Sequence, residues 1–177
     1  MQDLYTWSAK AIQNEQHMEW LENRKEHWIP LLAAKMKLLY NGYSFVVLCD
    51  ESRRWFGEYI VRKINENQVI RPFLPFFSFS SCCRIDVKTQ EDIDLLNDMF
   101  SLSFSNGFVY FYIGKGDHIN AKIAKSHDES YLWLIDEALP NSFQLSENDE
   151  DLDVKLVQLF KILNKSIDAV LFGEVVL

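Results

Sequence analysis

Four short apolar runs, separated by helix-forming stretches, constrain this chain more than any other feature. Tyr43 to Cys49 (YSFVVLC), Phe73 to Phe79, Gly107 to Ile113 (GFVYFYI) and Tyr131 to Ile135 (YLWLI) are near-continuous in apolar residues rather than alternating with polar ones. Runs of this kind suit strands covered on both faces, because a strand with one wet face shows a polar residue at every second position. Between them lie an amphipathic stretch reaching about Asn65, a Thr89-led, Asp92-assisted helix start covering about residues 90 to 101, and a helical segment around residues 118 to 126. This alternation predicts a three-layer α/β domain, a mostly parallel sheet with helices on both faces.

The two ends of the chain read as helix. Residues 3 to 40 contain no glycine and one proline, Pro30, and are rich in good helix formers. Two N-terminal helices are expected ahead of the sheet, the first carrying Leu4, Trp7, Ala11, Met18 and Leu21. The second follows Pro30 with Leu31, Leu32, Met36, Leu39 and Tyr40, and stops at Asn41-Gly42. Near the other end, the acidic segment Glu147 to Asp153 opens a long helix with Leu152, Leu156, Leu159, Phe160, Leu163, Ile167 and Val170 at helical spacing. Carboxylates at a helix start oppose its dipole favourably, which makes this run a solvated cap rather than a binding tail. The apolar terminus Glu174 to Leu177 is expected to pack as a last strand or to meet a neighbouring subunit. Ser142 to Asp153 is the most linker-like stretch but is too short to separate domains, so residues 1–177 read as one domain.

Charge narrows the partners. With 18 basic and 26 acidic residues the net charge is -8, so the average surface repels phosphate backbones and direct nucleic-acid binding is not expected. The candidate basic pairs Arg53-Arg54 and Arg62-Lys63 are interrupted by Glu51 and Glu58. No stretch approaches the roughly 20 apolar residues of a spanning helix, and the N-terminus lacks the apolar core of a signal peptide, which predicts a cytoplasmic protein without membrane contact. Cys49, Cys82 and Cys83 are odd in number and two are adjacent, a pattern that fits free thiols in a reducing compartment.

In an open parallel sheet, ligands favour the loops at the carboxyl ends of strands. The first such loop reads Cys49-Asp50-Glu51-Ser52-Arg53-Arg54-Trp55. A phosphate loop needs glycines and free amides at a helix start, and this loop has no glycine and two carboxylates that oppose an anion. Ser52 with the two arginines is what remains of an anion site. His17, His27, His118 and His127 form no HExxH or other metal-binding spacing, and the cysteines form no CxxC, so neither a metal nor a cofactor is expected. No nucleophile, base and orienting group stand out, and the chain reads as non-enzymatic. The helical, aromatic-bearing segments Met1 to Trp28 and Val154 to Leu177 suggest self-association.

The collinear runs SRRWFGEYIVRKIN (Ser52 to Asn65), RPFLPFFSF (Arg71 to Phe79), SYLWLIDEAL (Ser130 to Leu139) and LVQLFKILNKSIDAVLFGEVVL (Leu156 to Leu177) resemble the HobA family of replication initiation proteins. The resemblance implies a sugar-isomerase-like, flavodoxin-type fold, structurally a counterpart of DiaA, assembled as a homotetramer from dimers. It also implies binding to the N-terminal domain of DnaA and promotion of DnaA assembly at the chromosomal origin. Sugar-phosphate-binding members of this fold carry a Gly-rich, Ser/Thr-containing loop after the first strand, and here only Ser52 is left of it. A sugar-phosphate isomerase or sensor is the alternative, and a structural oligomer with an unrelated partner is a third reading. For the DnaA contact, the strand-end argument points to Asp50, Glu51, Ser52, Arg53, Arg54 and Trp55, together with Leu171 and Phe172 at the end of the last helix. The competing structural roles are helix caps for Asp50 or Ser52, sheet packing for Trp55 and core for Phe172.

Overall fold

A computed structural model describes residues 2–66 and 71–177; Met1, which opens the expected N-terminal helical segment, lies outside the described residues. In chain order the elements are β1 (Gln2–Asp3), α1 (Leu4–Gln13), α2 (Glu19–Glu22), α3 (Lys25–Tyr40), β2 (Ser44–Cys49), a 3-10 turn (Glu51–Arg53), α4 (Arg54–Ile64) and β3 (Phe76–Ser78). There follow α5 (Phe79–Cys82), α6 (Gln90–Ser103), β4 (Phe108–Lys115), α7 (Ile119–Lys125), β5 (Ser130–Ile135), β6 (Ser142–Leu145), α8 (Leu152–Leu171) and β7 (Val175–Val176). The chain divides into two compact units, residues 41–146 and the two ends, 1–40 with 147–177.

The central unit is a five-stranded, all-parallel sheet in the order β3-β2-β4-β5-β6. Taken within this sheet, that is the 2-1-3-4-5 order of flavodoxin-like folds, with its topological switch point between β2 and β4. Side chains alternate between the faces as the pleat requires. Val46, Leu48, Tyr110, Tyr112, Leu132 and Leu134 point to one face, where Ile93, Leu96 and Phe100 of α6 and Ala121 and Ala124 of α7 complete a buried cluster. The opposite face carries Phe45, Phe111 and Trp133, and α4 lies on it with the Phe56 ring 6.3 Å from that of Trp133. Gly57 sets the depth of α4: a Cβ there would stand 2.8 Å from Cys49 Sγ, so only glycine lets the helix approach β2 this closely. Helices thus cover both faces, as the apolar runs imply.

The terminal unit pairs β1 with β7 in parallel, so the apolar C-terminus packs as a last strand. α1 is capped by Asp3, whose carboxylate accepts from the Thr6 N–H at 2.9 Å. Leu152, Leu156, Leu159, Phe160, Leu163 and Ile167 form the buried stripe of α8. In the acidic run before it, Asp149 accepts from the Asp151 N–H and pairs with Lys155, while the N-cap Asp151 makes no side-chain capping bond.

Four expectations need correction. The first N-terminal helix does not run from Leu4 to Leu21: α1 ends at Gln13, and Leu21 lies in the separate short α2, of which Met18 is the N-cap. Pro30 does not start the second helix but sits inside α3, which begins at Lys25. The proline falls close to the helix start, where its missing N–H removes a single intrahelical bond. The second strand is Phe76–Ser78 rather than residues 73 to 79. Pro75 lies outside the strand and offers only its carbonyl, which accepts from the Phe45 N–H at 2.7 Å, and Phe79 turns into α5. Finally, Ser142 to Leu145 is not linker but the edge strand β6, parallel to β5.

Candidate functional site at the strand ends

The switch point between β2 and β4 is where a fold of this topology presents backbone amides to ligands. Here the carboxylate of Asp50, the first residue beyond β2, takes the place of such a ligand. Its carboxylate accepts from the Arg53 N–H at 3.0 Å, which caps the 3-10 turn leading into α4. The same group accepts from Arg53 Nη1 at 3.0 Å and, across the crevice, from the backbone N–H of Lys115 at 2.8 Å. Both Asp50 and Arg53 are buried.

The neighbouring chain is shaped to receive this carboxylate. Gly114 has φ 153°, and a Cβ there would lie 2.7 Å from Asp50 Oδ2 and 2.6 Å from the Tyr112 hydroxyl. The Tyr112 hydroxyl donates to the Lys115 carbonyl at 2.6 Å, and burial followed by the Asp50 charge pushes its pKa up. From α7, Asn120 Nδ2 donates to the Cys49 carbonyl at 2.8 Å, tying the helix start to the end of β2. One turn outward, Arg54 donates from Nη2 to both carboxylate oxygens of Glu51, at 2.9 and 2.8 Å. This pair is exposed and contributes about 0–1 kcal/mol at most. A cleft of about 390 Å³ remains beside the loop, bordered by Glu51, Arg54, Glu58, Ser78, Ser80 and Asn120.

Of the loop residues singled out from sequence, Asp50 and Arg53 therefore come together as a buried pair, and Glu51 and Arg54 as an exposed one. Ser52 is exposed, and Trp55 stays 43% exposed on the outer side of α4, its ring 5.4 Å from that of Phe56. In the terminal unit, Leu171 is half-buried and Phe172 is 51% exposed, not core. The helix ends there in a Schellman arrangement: Gly173 has φ 70°, its N–H donates to the Val170 carbonyl at 3.3 Å, and the Glu174 N–H donates to the Ala169 carbonyl at 2.9 Å.

The sequence reading missed Gly114, Lys115 and Asn120, which complete the crevice. The one signal for them was the glycine in Ile113-Gly114-Lys115-Gly116, directly after an apolar run. Cys49, Cys82 and Cys83 are free thiols. Among the described residues, no group of three or more His, Cys, Asp and Glu is arranged to hold a metal ion, and no helix is long and apolar enough to cross a membrane.

Both loop arginines are thus matched by carboxylates of the same loop, and the crevice amide of Lys115 is taken by Asp50. Fold and site define a flavodoxin-like α/β protein whose strand-end loop is satisfied by its own side chains and presents Arg54 and Trp55 outward. Comparison with known proteins gives the family. The HobA profile, described as DNA replication regulator, matches residues 1–177. The DNA replication regulator protein HobA of Helicobacter pylori is 29% identical over the full length of both chains. Two solved structures agree: HobA from Helicobacter pylori, at 27% identity and TM-score 0.80 over 100% of this chain and 99% of that one, and HobA in complex with DnaA (domain I-II) from the same organism, at 28% identity and TM-score 0.79 over all of both chains. The chain belongs to the HobA family of DNA replication regulators.

Proposed function

We propose that this chain binds the N-terminal domain of DnaA and, as a homotetramer built from dimers, gathers DnaA molecules at the chromosomal origin. The observation that carries this reading is the full-length likeness to a HobA crystallised with DnaA domains I and II. The action is non-enzymatic, takes place in the cytoplasm and needs no direct DNA contact, in keeping with a net charge of -8. Several binding sites on one oligomer raise the local concentration of the initiator without new chemistry. The exposed members of the strand-end loop, Glu51, Ser52, Arg54 and Trp55, and the helix-end residues Leu171 and Phe172 are the proposed contact positions. Asp50 and Arg53 act beneath them by fixing the loop.

The sugar-phosphate alternative lacks a comparable support, since the carboxylate of Asp50 stands on the amide an anion would use. Size-exclusion chromatography with light scattering on the protein alone and mixed with the N-terminal domain of its own DnaA tests the proposal. A tetramer that shifts to a larger complex is expected. A tetramer that ignores the domain overturns the partner, and a monomer overturns the scaffold.

A further inference from the structure

α6 carries two apolar stripes. Ile93, Leu96 and Phe100 are buried against the sheet, whereas Leu95, Met99 and Leu102 are 53%, 41% and 87% exposed. At about 100° per residue the latter three fall within one narrow outward band, spaced i, i+4 and i+7. The exposed Glu91, Asp94 and Asp98 fall along one flank of that band, and no lysine or arginine occurs between Gln90 and Ser103. Ser101 and Ser103 turn their hydroxyls back on the helix, donating to the carbonyls of Asn97 and Met99 at 2.8 Å each, so they add little polarity to the face. Leu102 stands almost fully in water.

We propose that this outward face of α6 is a docking surface for a basic amphipathic helix of a partner protein. An aliphatic band beside a row of carboxylates is complementary to a helix that sets leucine-like side chains next to lysine or arginine. A second copy of this chain is the poorer occupant, because self-pairing of α6 would bring Glu91, Asp94 and Asp98 against their own kind. The surface stands independently of the DnaA reading: it rests on α6 alone, which contributes none of the strand-end residues.

The test uses the full chain and a fluorescent peptide of about 18 leucines and lysines patterned as an amphipathic helix, with a composition-matched scrambled peptide as control. Anisotropy titrations are run on the wild type and on the double variant Leu95→Ser/Leu102→Ser, with a melting curve and light scattering for each. The expected result is about tenfold tighter binding of the patterned peptide than of the scrambled one, and a loss of about tenfold in the variant at unchanged melting temperature and mass. Equal binding of the scrambled peptide, undiminished binding by the variant, or no binding at all overturns the proposal. A change of oligomeric mass in the variant also overturns it, by making the face a contact between copies.

Discussion

Asp50 accepts from the backbone N–H of Lys115 at 2.8 Å, joining the ends of β2 and β4 at the point where the sheet reverses its order. The same carboxylate holds Arg53, so a position that other proteins of this topology leave to a ligand is built into the fold here.

Removing that carboxylate should cost stability rather than activity alone. Asp50→Ala removes the buried carboxylate that accepts from Arg53 and from the Lys115 N–H, and is expected to lower unfolding stability by about 3–5 kcal/mol. Gly114→Ala should act in the same direction, because its φ of 153° disfavours a side chain and the new Cβ would meet Asp50. Urea unfolding midpoints of the two variants check both.

An anion should find no welcome at the switch point. Sugar phosphates at millimolar concentration are expected to leave the melting temperature unchanged, since a ligand raises it only by binding the folded state. Thermal shift against a panel of sugar phosphates measures this, and a concentration-dependent rise would reopen the sugar-phosphate reading.

Surface and interior members of the loop should separate cleanly. Trp55→Ala changes an exposed ring, so stability should stay within about 0.5 kcal/mol. If Trp55 anchors DnaA, affinity should fall by about 30-fold, equivalent to about 2 kcal/mol. Arg53→Ala should show the opposite pattern, a loss of stability first. Paired melting curves and binding titrations distinguish the two.

Alkaline pH should unfold the protein partly through Cys49. Burial of its sulfur under α4, followed by the Asp50 charge, pushes the thiol from its ordinary 9.0 up to about 12. The unfolded thiol gives up its proton near 9.0 while the folded one keeps it to about 12, so this contribution is whole below pH 9.0 and is lost as pH rises through that window. The slope is at most about 1.4 kcal/mol per pH unit for one group. Tyr110 and Tyr112, both raised by burial, add to the loss above their ordinary 10.0. Cys49→Ala should flatten the stability profile between pH 9 and 12 by one proton, measured by chemical denaturation across that range.

Much of this architecture was legible because its signals are local. The run Phe45–Cys49 is apolar throughout, and the Thr89/Asp92 capping box marks the start of α6. β6 was hidden because Ser142-Phe143-Gln144-Leu145 mixes polar and apolar residues, as an edge strand does, and follows Pro140-Asn141. Pro30 misled because its effect depends on distance from a helix start that the sequence did not mark. At the site, the residue types were readable but not their direction. Arg53 and Arg54 are adjacent and chemically alike, and only the 3-10 turn capped by Asp50 sends the first into the interior and the second into water.

The most direct test of the central claim is a calorimetric titration of the N-terminal domain of the cognate DnaA into the full-length protein. Saturable binding, weakened by Trp55→Ala or Phe172→Ala at unchanged melting temperature, is the predicted result. No binding by a folded wild-type protein would contradict the account.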